Sequence, residues 1–305
     1  MKNKFRCLID TSLLELFPEG GGNLQNKNLL SYLNGFESGD WRYSHFNDFI
    51  FDNICETALS EDERSKLVNS PLSSLRQAAK NLRISKDSGQ GSELAEILLY
   101  GVMKHHYKAL PVVPKIFYKQ NSQDNAKGAD SVHIVLEDDG SYSLWYGESK
   151  FYLDLWDAMK SAIDSIKDTI SDAKIRKENS IVTSMSDLKA CIKDDAKSEE
   201  IKRMLSSDTS LDDIKLILHV PILLLHECKI TAKYTCLSQV YLYEMENIYK
   251  EKAQQFFVKL SRECESVSCY ESITFHLIPF PIPNKDKVVS NFLEMAAPLR
   301  NGCSL

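Results

Sequence analysis

Two strand-like segments joined by a tight turn constrain the fold of this 305-residue chain more than any other feature. The segments read SVHIVLE at residues 131–137 and SLWYGESKF at residues 143–151, and both are rich in β-branched and aromatic residues. Asp139-Gly140 lies between them, and Asp-Gly between two such runs is a strong signal for a β-hairpin. The sequence therefore predicts two antiparallel strands that reverse direction at residues 138–140.

This hairpin would bring together side chains that are distant in the sequence. Asp130 precedes the first strand and folds back to a position opposite about residue 148, where cross-strand neighbours are ~4.5–5.5 Å apart. Glu148 and Lys150 are two residues apart on the second strand, so their side chains point to the same face. We therefore predict that Asp130, Glu148 and Lys150 share one pocket.

A helix before the hairpin supplies a third acid. Ser92 is a suitable N-cap for a helix that begins at Glu93, and Glu96 lies just beyond the first turn. An acid in the first turn, such as Glu93, has a structural use, because it complements the positive end of the helix dipole. We therefore favour Glu96 over Glu93 as the functional acid. The apolar face of this helix is predicted to consist of Leu94, Ile97, Leu98, Gly101 and Val102.

Three carboxylates and one lysine are the side chains that hydrolysis of a phosphodiester requires. Carboxylate oxygens hold a hard cation such as Mg²⁺, and an ammonium group faces the anionic substrate. The pattern Glu-x-Lys is weak alone, and it recurs at Glu200/Lys202 and Glu227/Lys229. The first recurrence lies in a charged segment typical of a solvated helix, and no hairpin brings a second carboxylate to the other. The interpretation of residues 148–150 therefore depends on the whole order of helix, strand, hairpin and helix.

That order resembles the core of the PD-(D/E)xK nuclease superfamily, which runs α-β-β-β-α-β with a mixed central sheet flanked by helices. The segments GSELAEILLYGVM, KGADSVHIV and LWYGESKFYLDLWDAM are also similar to the HamA family, the nuclease subunits of Hachiman anti-phage defence systems. The similar region spans about residues 91–160. One departure concerns the RecB-like branch, in which a Gln-x-x-x-Tyr helix closely follows the Glu-x-Lys strand. The match here, Gln239/Tyr243, comes much later in the chain, and we interpret it as helix surface.

The resemblance implies that Glu96, Asp130, Glu148 and Lys150 are catalytic. Asp130 and Glu148 would bind Mg²⁺, for which Mn²⁺ is an alternative, together with the backbone carbonyl of Ser149. Glu96 would reach the ion through a water molecule or hold a second ion, and Lys150 would orient or deprotonate the attacking water. The resemblance further implies a DNA endonuclease or nickase that forms a heterodimer with a HamB-like helicase subunit and is restrained by it.

Composition sets limits on the other classes of function. The net charge of −6 argues against a protein that gathers DNA by general electrostatics, so a partner would deliver the substrate. The sequence has no Walker-type Gly-x-x-x-x-Gly-Lys-Ser/Thr motif and no Cys-x-x-Cys pair among its eight cysteines. Acids interrupt the N-terminal apolar run, and no apolar run is long enough to span a bilayer. We expect a cytoplasmic protein with free thiols and no membrane contact.

We predict two regions in the chain. Residues 1–85 form an N-terminal accessory or docking region, and residues 86–305 form the nuclease-like domain. The segment ISKDSGQGS at 84–92 is predicted to be the linker between them. A polar segment at about 171–213 is predicted to be an insertion of helices and loops. The elements expected after it are a strand at 215–226, a helix at 238–262 and a strand at 272–282.

Two other functions remain open at this stage. The same fold can serve as a catalytically silent regulator of a helicase, and the same site can cleave RNA, because the phosphodiester chemistry is shared. Histidines offer no competing base. His133 is out of phase with Asp130 on its strand, and His219, His226 and His276 lie on apolar strands, where we expect core residues with satisfied hydrogen bonds.

Overall fold

The computed structural model describes residues 4–20, 24–82, 92–120, 129–184, 192 and 194–301. Its strands are β1 (Arg6–Ser12), β2 (Lys27–Leu33), β3 (Phe36–Glu37), β4 (Asp40–Trp41), β5 (Leu110–Val113), β6 (Ser131–Leu136), β7 (Tyr142–Tyr152), β8 (Leu218–Glu227) and β9 (Thr274–Ile282). Seven of them form one mixed sheet in the order β1-β2-β9-β8-β7-β6-β5, and β3 and β4 form a separate two-stranded ribbon. The protein therefore has a mixed α/β architecture.

Helices flank this sheet on both faces. They are α1 (Leu13–Leu16), α2 (Tyr43–Ala58), α3 (Glu61–Lys66), α4 (Pro71–Lys80), α5 (Ser92–His106), α6 (Lys115–Gln120), α7 (Leu155–Thr169), α8 (Asp172–Ser184), α9 (Asp195–Met204), α10 (Leu211–Leu216), α11 (Gln239–Glu263) and α12 (Lys285–Asn301). No helix within the described ranges is long and apolar enough to cross a membrane.

The direction of pairing changes at β7. This strand pairs antiparallel with β6 and parallel with β8, and β8, β9 and β2 continue the parallel part of the sheet. Along the chain, α5, β5, β6, β7, α7 and β8 follow one another, with the short helix α6 between β5 and β6. The predicted hairpin is confirmed, because β6 and β7 pair from Leu136/Tyr142 to Ser131/Gly147. Gly140 has a φ of 84° in its turn, where glycine carries no steric cost.

Each face of the sheet packs against its own helices. One core layer joins β6 to β8 with α7, α8 and α11, and the other joins the opposite face with α2, α5 and α12. Helix α5 is buried on all sides from Leu94 to Met103, so the prediction of a single apolar face was too narrow. The reason is that α2 covers its outer side: a Cβ built on Gly101 would lie 2.5 Å from the Phe49 ring.

The N-terminal residues extend the same sheet. Strand β1 pairs with β2, and β2 pairs in parallel with β9, the last of the described strands. Helix α2, also in this region, packs against α5. The region predicted as accessory at 1–85 thus contributes two strands and a core helix to the structure that contains β6 and β7. Its docking role remains a prediction, and residues 83–91, which contain most of the predicted linker, lie outside the described residues.

The C-terminal half follows the predictions with one correction. Helix α11 and strand β9 lie where the sequence placed them, and the polar segment 171–213 contains α8, α9 and the first half of α10. The strand predicted at 215–226 begins only at Leu218, because the side chain of Ser210 caps α10 and the chain stays helical through Leu216. The prediction of free thiols is confirmed for the six cysteines within the described residues.

Candidate active site

The candidate site lies at the end of β7, where this strand extends beyond the first residue of its antiparallel neighbour β6. Strand β6 starts at Ser131, opposite Gly147, whereas β7 runs on beside β8 to Tyr152. Among the described strands, the last part of β7 therefore pairs only with β8. Side chains from opposite faces of the sheet can meet at such an open edge, and a cavity of about 570 Å³ lies there.

All four residues predicted to be catalytic line this cavity. Its walls come from α5, the residue before β6, the end of β7, the first turn of α7 and the residue that opens α12. The lining residues are Ser92, Glu96, Asp130, Glu148, Ser149, Lys150, Phe151, Tyr152, Leu153, Asp154, Asp157 and Lys285.

Glu148 and Lys150 form a buried ion pair. The Lys150 Nζ lies 2.6 Å from the Glu148 Oε1, and the two side chains are 18% and 7% exposed, respectively. They share the face of β7 that α7 covers, where Glu148 also accepts a hydrogen bond from Ser165. The shared face agrees with the period-2 prediction, and the ion pair places a cation and an anion in one pocket.

The electrostatics of the pair follow from burial. Burial, together with the nearby Asp130 carboxylate, raises the pKa of Glu148 to about 7, although Lys150 acts in the opposite direction. Burial alone would lower the pKa of Lys150, but the Glu148 carboxylate outweighs it, so the pKa of Lys150 is raised. Lys150 is therefore charged at neutral pH, while Glu148 takes up a proton more readily than an exposed glutamate.

Hydrogen bonds to Gly147 and Ser149, the residues before and after Glu148, hold Asp130 next to the start of β6. Its backbone amide donates to the Gly147 carbonyl at 2.8 Å. Its Oδ2 accepts from the Ser149 amide at 3.0 Å and from the Ser149 hydroxyl at 3.1 Å. These contacts place Asp130 beside residue 148, as the hairpin register predicts, and Ser149 fixes the orientation of its carboxylate.

Glu96 reaches the cavity from the other face of the sheet. Helix α5 packs closely there, because a Cβ on Gly147 would lie 2.2 Å from the Ser131 Oγ and 2.9 Å from the Leu99 Cδ2. Glu96 is 7% exposed and lines the cavity, whereas Glu93 is only partly buried and is not among the lining residues. This placement favours Glu96 over Glu93.

The two competing Glu-x-Lys pairs have structural roles. Glu200 and Lys202 lie on α9, where they form exposed pairs with Lys197 and Glu199. Glu227 ends β8, and its Oε2 accepts from the backbone amide of Lys285 at 2.7 Å, which caps the start of α12. Neither pair lines the cavity at the end of β7.

The other polar residues considered in the sequence are placed as predicted. Gln239 and Tyr243 are exposed on the surface of α11. His133 is fully buried, and burial lowers its pKa to about 3, so it is neutral. His219 and His276 hydrogen bond to each other at 3.0 Å. His226 bonds to Tyr249 and the Glu227 carbonyl.

Two residues near the site were missed by the sequence reasoning. Lys285 lines the cavity, and its Nζ donates to the Phe151 carbonyl at 2.9 Å. Glu178, from the polar segment, accepts from the Ala129 amide at 3.0 Å and pairs with Lys115 at 2.6 Å, so it holds the residue that precedes Asp130. Both come from distant parts of the chain, and no local pattern marks either of them.

The fold and the cavity together define a mixed α/β protein with an acid and lysine cluster at the open end of its sheet. The HamA family profile matches residues 12–296. The chain belongs to the HamA family, and its role is therefore in Hachiman anti-phage defence. No curated protein matches the chain.

Proposed function

We propose that this protein is a Mg²⁺-dependent DNA endonuclease or nickase and that its active site is the cavity at the end of β7. The observation that carries the proposal is the buried pair of Glu148 and Lys150 with Asp130 held beside it. The order of α5, β5, β6, β7, α7 and β8 supports the proposal, because the PD-(D/E)xK core has the same order. Membership of the HamA family supports the proposal, because a nuclease would serve the family's role in anti-phage defence.

The donor set of the cavity suits a hard divalent cation. Asp130 and Glu148 are two carboxylates in one cavity, and their mutual repulsion contributes to the raised pKa of Glu148. A bound Mg²⁺ would neutralise that repulsion and supply Lewis-acid stabilisation of the phosphate. Within the described residues, no three side chains of His, Cys, Asp or Glu are gathered tightly enough to hold a metal ion by themselves. Water and the Ser149 carbonyl would complete the ligands, and Mg²⁺ normally keeps several waters.

The chain supplies the remaining chemistry through three side chains. Lys150, charged and largely buried, would face the scissile phosphate, orient the attacking water and stabilise the charge that develops on the phosphate; a protonated Nζ does not suit the alternative of deprotonating that water. Ser149 would keep the Asp130 carboxylate directed into the cavity through its amide and hydroxyl. Glu96 would bind a water from the α5 side of the cavity or hold a second ion.

A helicase subunit is the proposed partner. The chain carries a net charge of −6 and no Walker-type motif, so neither general attraction for DNA nor ATP-driven translocation is provided by its own sequence. A helicase bound to it would deliver the DNA and restrain cleavage until DNA is engaged. We expect a stable heterodimer, which co-purification from a cell that expresses both subunits would test.

Cleavage of supercoiled plasmid and of a single-stranded oligonucleotide tests the activity, with Mg²⁺ or with chelator, and with or without the helicase and ATP. We expect Lys150→Ala to reduce cleavage by at least about 100-fold, because it removes the cation that faces the phosphate. Lys202→Ala is the matched control, since it alters the same motif on the solvated helix α9, and it should cleave like the wild type. An RNA oligonucleotide cleaved in place of DNA would assign the site to RNA. Absence of cleavage under all conditions would favour a catalytically silent regulator.

A further inference from the structure

An exposed tryptophan lies beside the candidate active site. Trp156, in the first turn of α7, is 40% exposed, whereas Trp41 and Trp145 are 5% and 3% exposed. Its backbone amide donates to the side chain of Asp154, which lines the cavity. A large part of the Trp156 ring is therefore available to a ligand beside the cavity.

Three lysines surround the ring of Trp156. The Nζ atoms of Lys160, Lys252 and Lys259 lie 5.5, 5.9 and 5.7 Å from its centroid. Lys160 comes from the next turn of α7, and the other two come from α11, which packs against α7. Two elements of the fold therefore direct positive charge towards one exposed aromatic ring, within a chain whose net charge is −6.

Exposed aromatic and apolar side chains also line the cavity just before α7 begins. Tyr152 and Leu153, which line the cavity, are 36% and 64% exposed. The acids of this region are Asp154, which caps α7, and Asp157, which lies 3.6 Å from Lys160. Glu251 lies 3.9 Å from Lys252, and both of these pairs are exposed, so they hold the lysines only weakly.

We infer that Trp156 and Lys160, Lys252 and Lys259 form a binding platform for an unpaired nucleic-acid strand that leads into the active site. This inference rests on the proposed nuclease function. A base whose face is free can stack on the Trp156 ring, and the phosphates on either side can contact the lysines. Bases in a duplex are already stacked on their neighbours, so an exposed ring of this kind favours single-stranded over double-stranded substrate. Lysines alone would bind the phosphates of any nucleic acid. The aromatic ring beside them adds stacking with a base, which favours an unpaired strand.

Binding of a fluorescently labelled oligothymidylate to the full-length chain, in chelator so that no cleavage occurs, tests the platform. We expect Trp156→Ala to weaken binding about tenfold and Trp156→Phe to retain most of it, because base stacking needs an aromatic face. Tyr243→Ala is the matched control, since Tyr243 is a 68% exposed aromatic residue of α11 outside the lysine cluster, and it should bind like the wild type.

Two further measurements distinguish the contribution of base stacking from that of the lysine charges. Intrinsic tryptophan fluorescence should be quenched by the oligonucleotide in the wild type and not in Trp156→Phe, because the other two tryptophans are buried. The double variant Lys252→Gln/Lys259→Gln should reduce the slope of log affinity against log salt by about 1.4, since each contact with single-stranded phosphate contributes ~0.7.

The outcomes for the platform and for the nuclease are distinguishable. Equal oligonucleotide binding and equal cleavage by the wild type and Trp156→Ala would overturn the platform and leave the nuclease proposal intact. Trp156-dependent binding without any cleavage would overturn the nuclease proposal and keep the binding surface. Binding that depends on the lysines but not on Trp156, with a duplex bound as tightly as the single strand, would also overturn the platform.

Discussion

One buried lysine outside the candidate active site forms no ion pair with a carboxylate among the residues that the structure describes. Lys27, in β2, is fully buried, and its Nζ lies over the rings of Tyr270 and Phe275 at 4.5 and 4.6 Å from their centroids. Burial lowers its pKa to about 8, and nearby Glu271 offsets this only in part. At neutral pH the folded protein therefore holds a charge that burial disfavours.

We predict that Lys27→Met stabilises the protein at about pH 7 by on the order of 1 kcal/mol or more, because it removes that buried charge. The cost of the charge is fully present below pH about 8. It is lost as pH rises towards the ordinary pKa of lysine, so the free energy of unfolding of the wild type should approach that of the variant. Urea unfolding at pH 7 and pH 10 measures both effects.

Lys215→Met is the matched control for this prediction. Lys215 is equally buried, but its Nζ donates to the Asp172 carboxylate at 2.8 Å and to the Ser268 carbonyl at 2.9 Å. Its removal should destabilise the protein, because satisfied partners lose their donor. A less stable Lys27→Met at neutral pH would mean that the two aromatic rings compensate the buried charge completely.

The sequence predicts the positions of some site residues and not of others, for a physical reason. Asp130, Glu148 and Lys150 lie on one hairpin, so the turn and the alternation of side chains are enough to bring them together. Lys285 reaches the same cavity from the segment that follows β9. Its position depends on the parallel pairing of β9 with β8, and no local sequence pattern specifies that pairing.

Helix α8 matters at the scale of elements because it anchors the start of β6. The Glu178 carboxylate joins Lys115, the first residue of α6, to the amide of Ala129, and both charged side chains are nearly fully buried. The segment 171–213, predicted to be a polar insertion, thus contributes a residue to the interior. The charge pattern of this segment gave no sign of that role, since burial of Glu178 depends on the Lys115 that faces it.

We predict that Glu178→Ala lowers the free energy of unfolding by ~3–5 kcal/mol, because it leaves the buried Lys115 ammonium without this counter-charge. Thermal unfolding of the variant measures the loss of stability. Cleavage should fall as well, because the hydrogen bond from the Ala129 amide no longer anchors the segment that carries Asp130. The double variant Lys115→Met/Glu178→Leu should recover most of the stability. Asp168→Ala is the control: it breaks an exposed pair with Lys174 and should cost less than ~1 kcal/mol. An effect of that small size for Glu178→Ala would refute the anchoring role.

The whole molecule depends on contacts between the two ends of the sequence. Strand β2 covers the edge of β9, and the Phe5 ring lies 4.9 Å from the ring of Phe280. The sequence predicts a separate region at residues 1–85, because these residues contain no catalytic pattern and lead into the linker predicted at 84–92. Pairing between distant strands has no signature in a single sequence, so their place in the sheet was not predictable.

We predict that a fragment of residues 86–305 does not fold into a soluble nuclease. Without β2, the edge of β9 would be exposed, and without α2 the buried helix α5 would lose its cover over Gly101. Soluble yield and thermal unfolding of the fragment, compared with those of the full chain, measure this. A soluble fragment that unfolds cooperatively would instead support the boundary at residue 85.

The pairing of β2 with β9 also has a consequence for how the protein is made. A ribosome releases β1 and β2 well before β9, so these two strands wait through the synthesis of residues 34–273 with one edge unpaired. A two-stranded hairpin is marginal by itself, and an open edge invites pairing with other chains. The newly made protein therefore depends on the emergence of β9 to close its sheet, and slow or interrupted translation before that point should favour aggregation over folding.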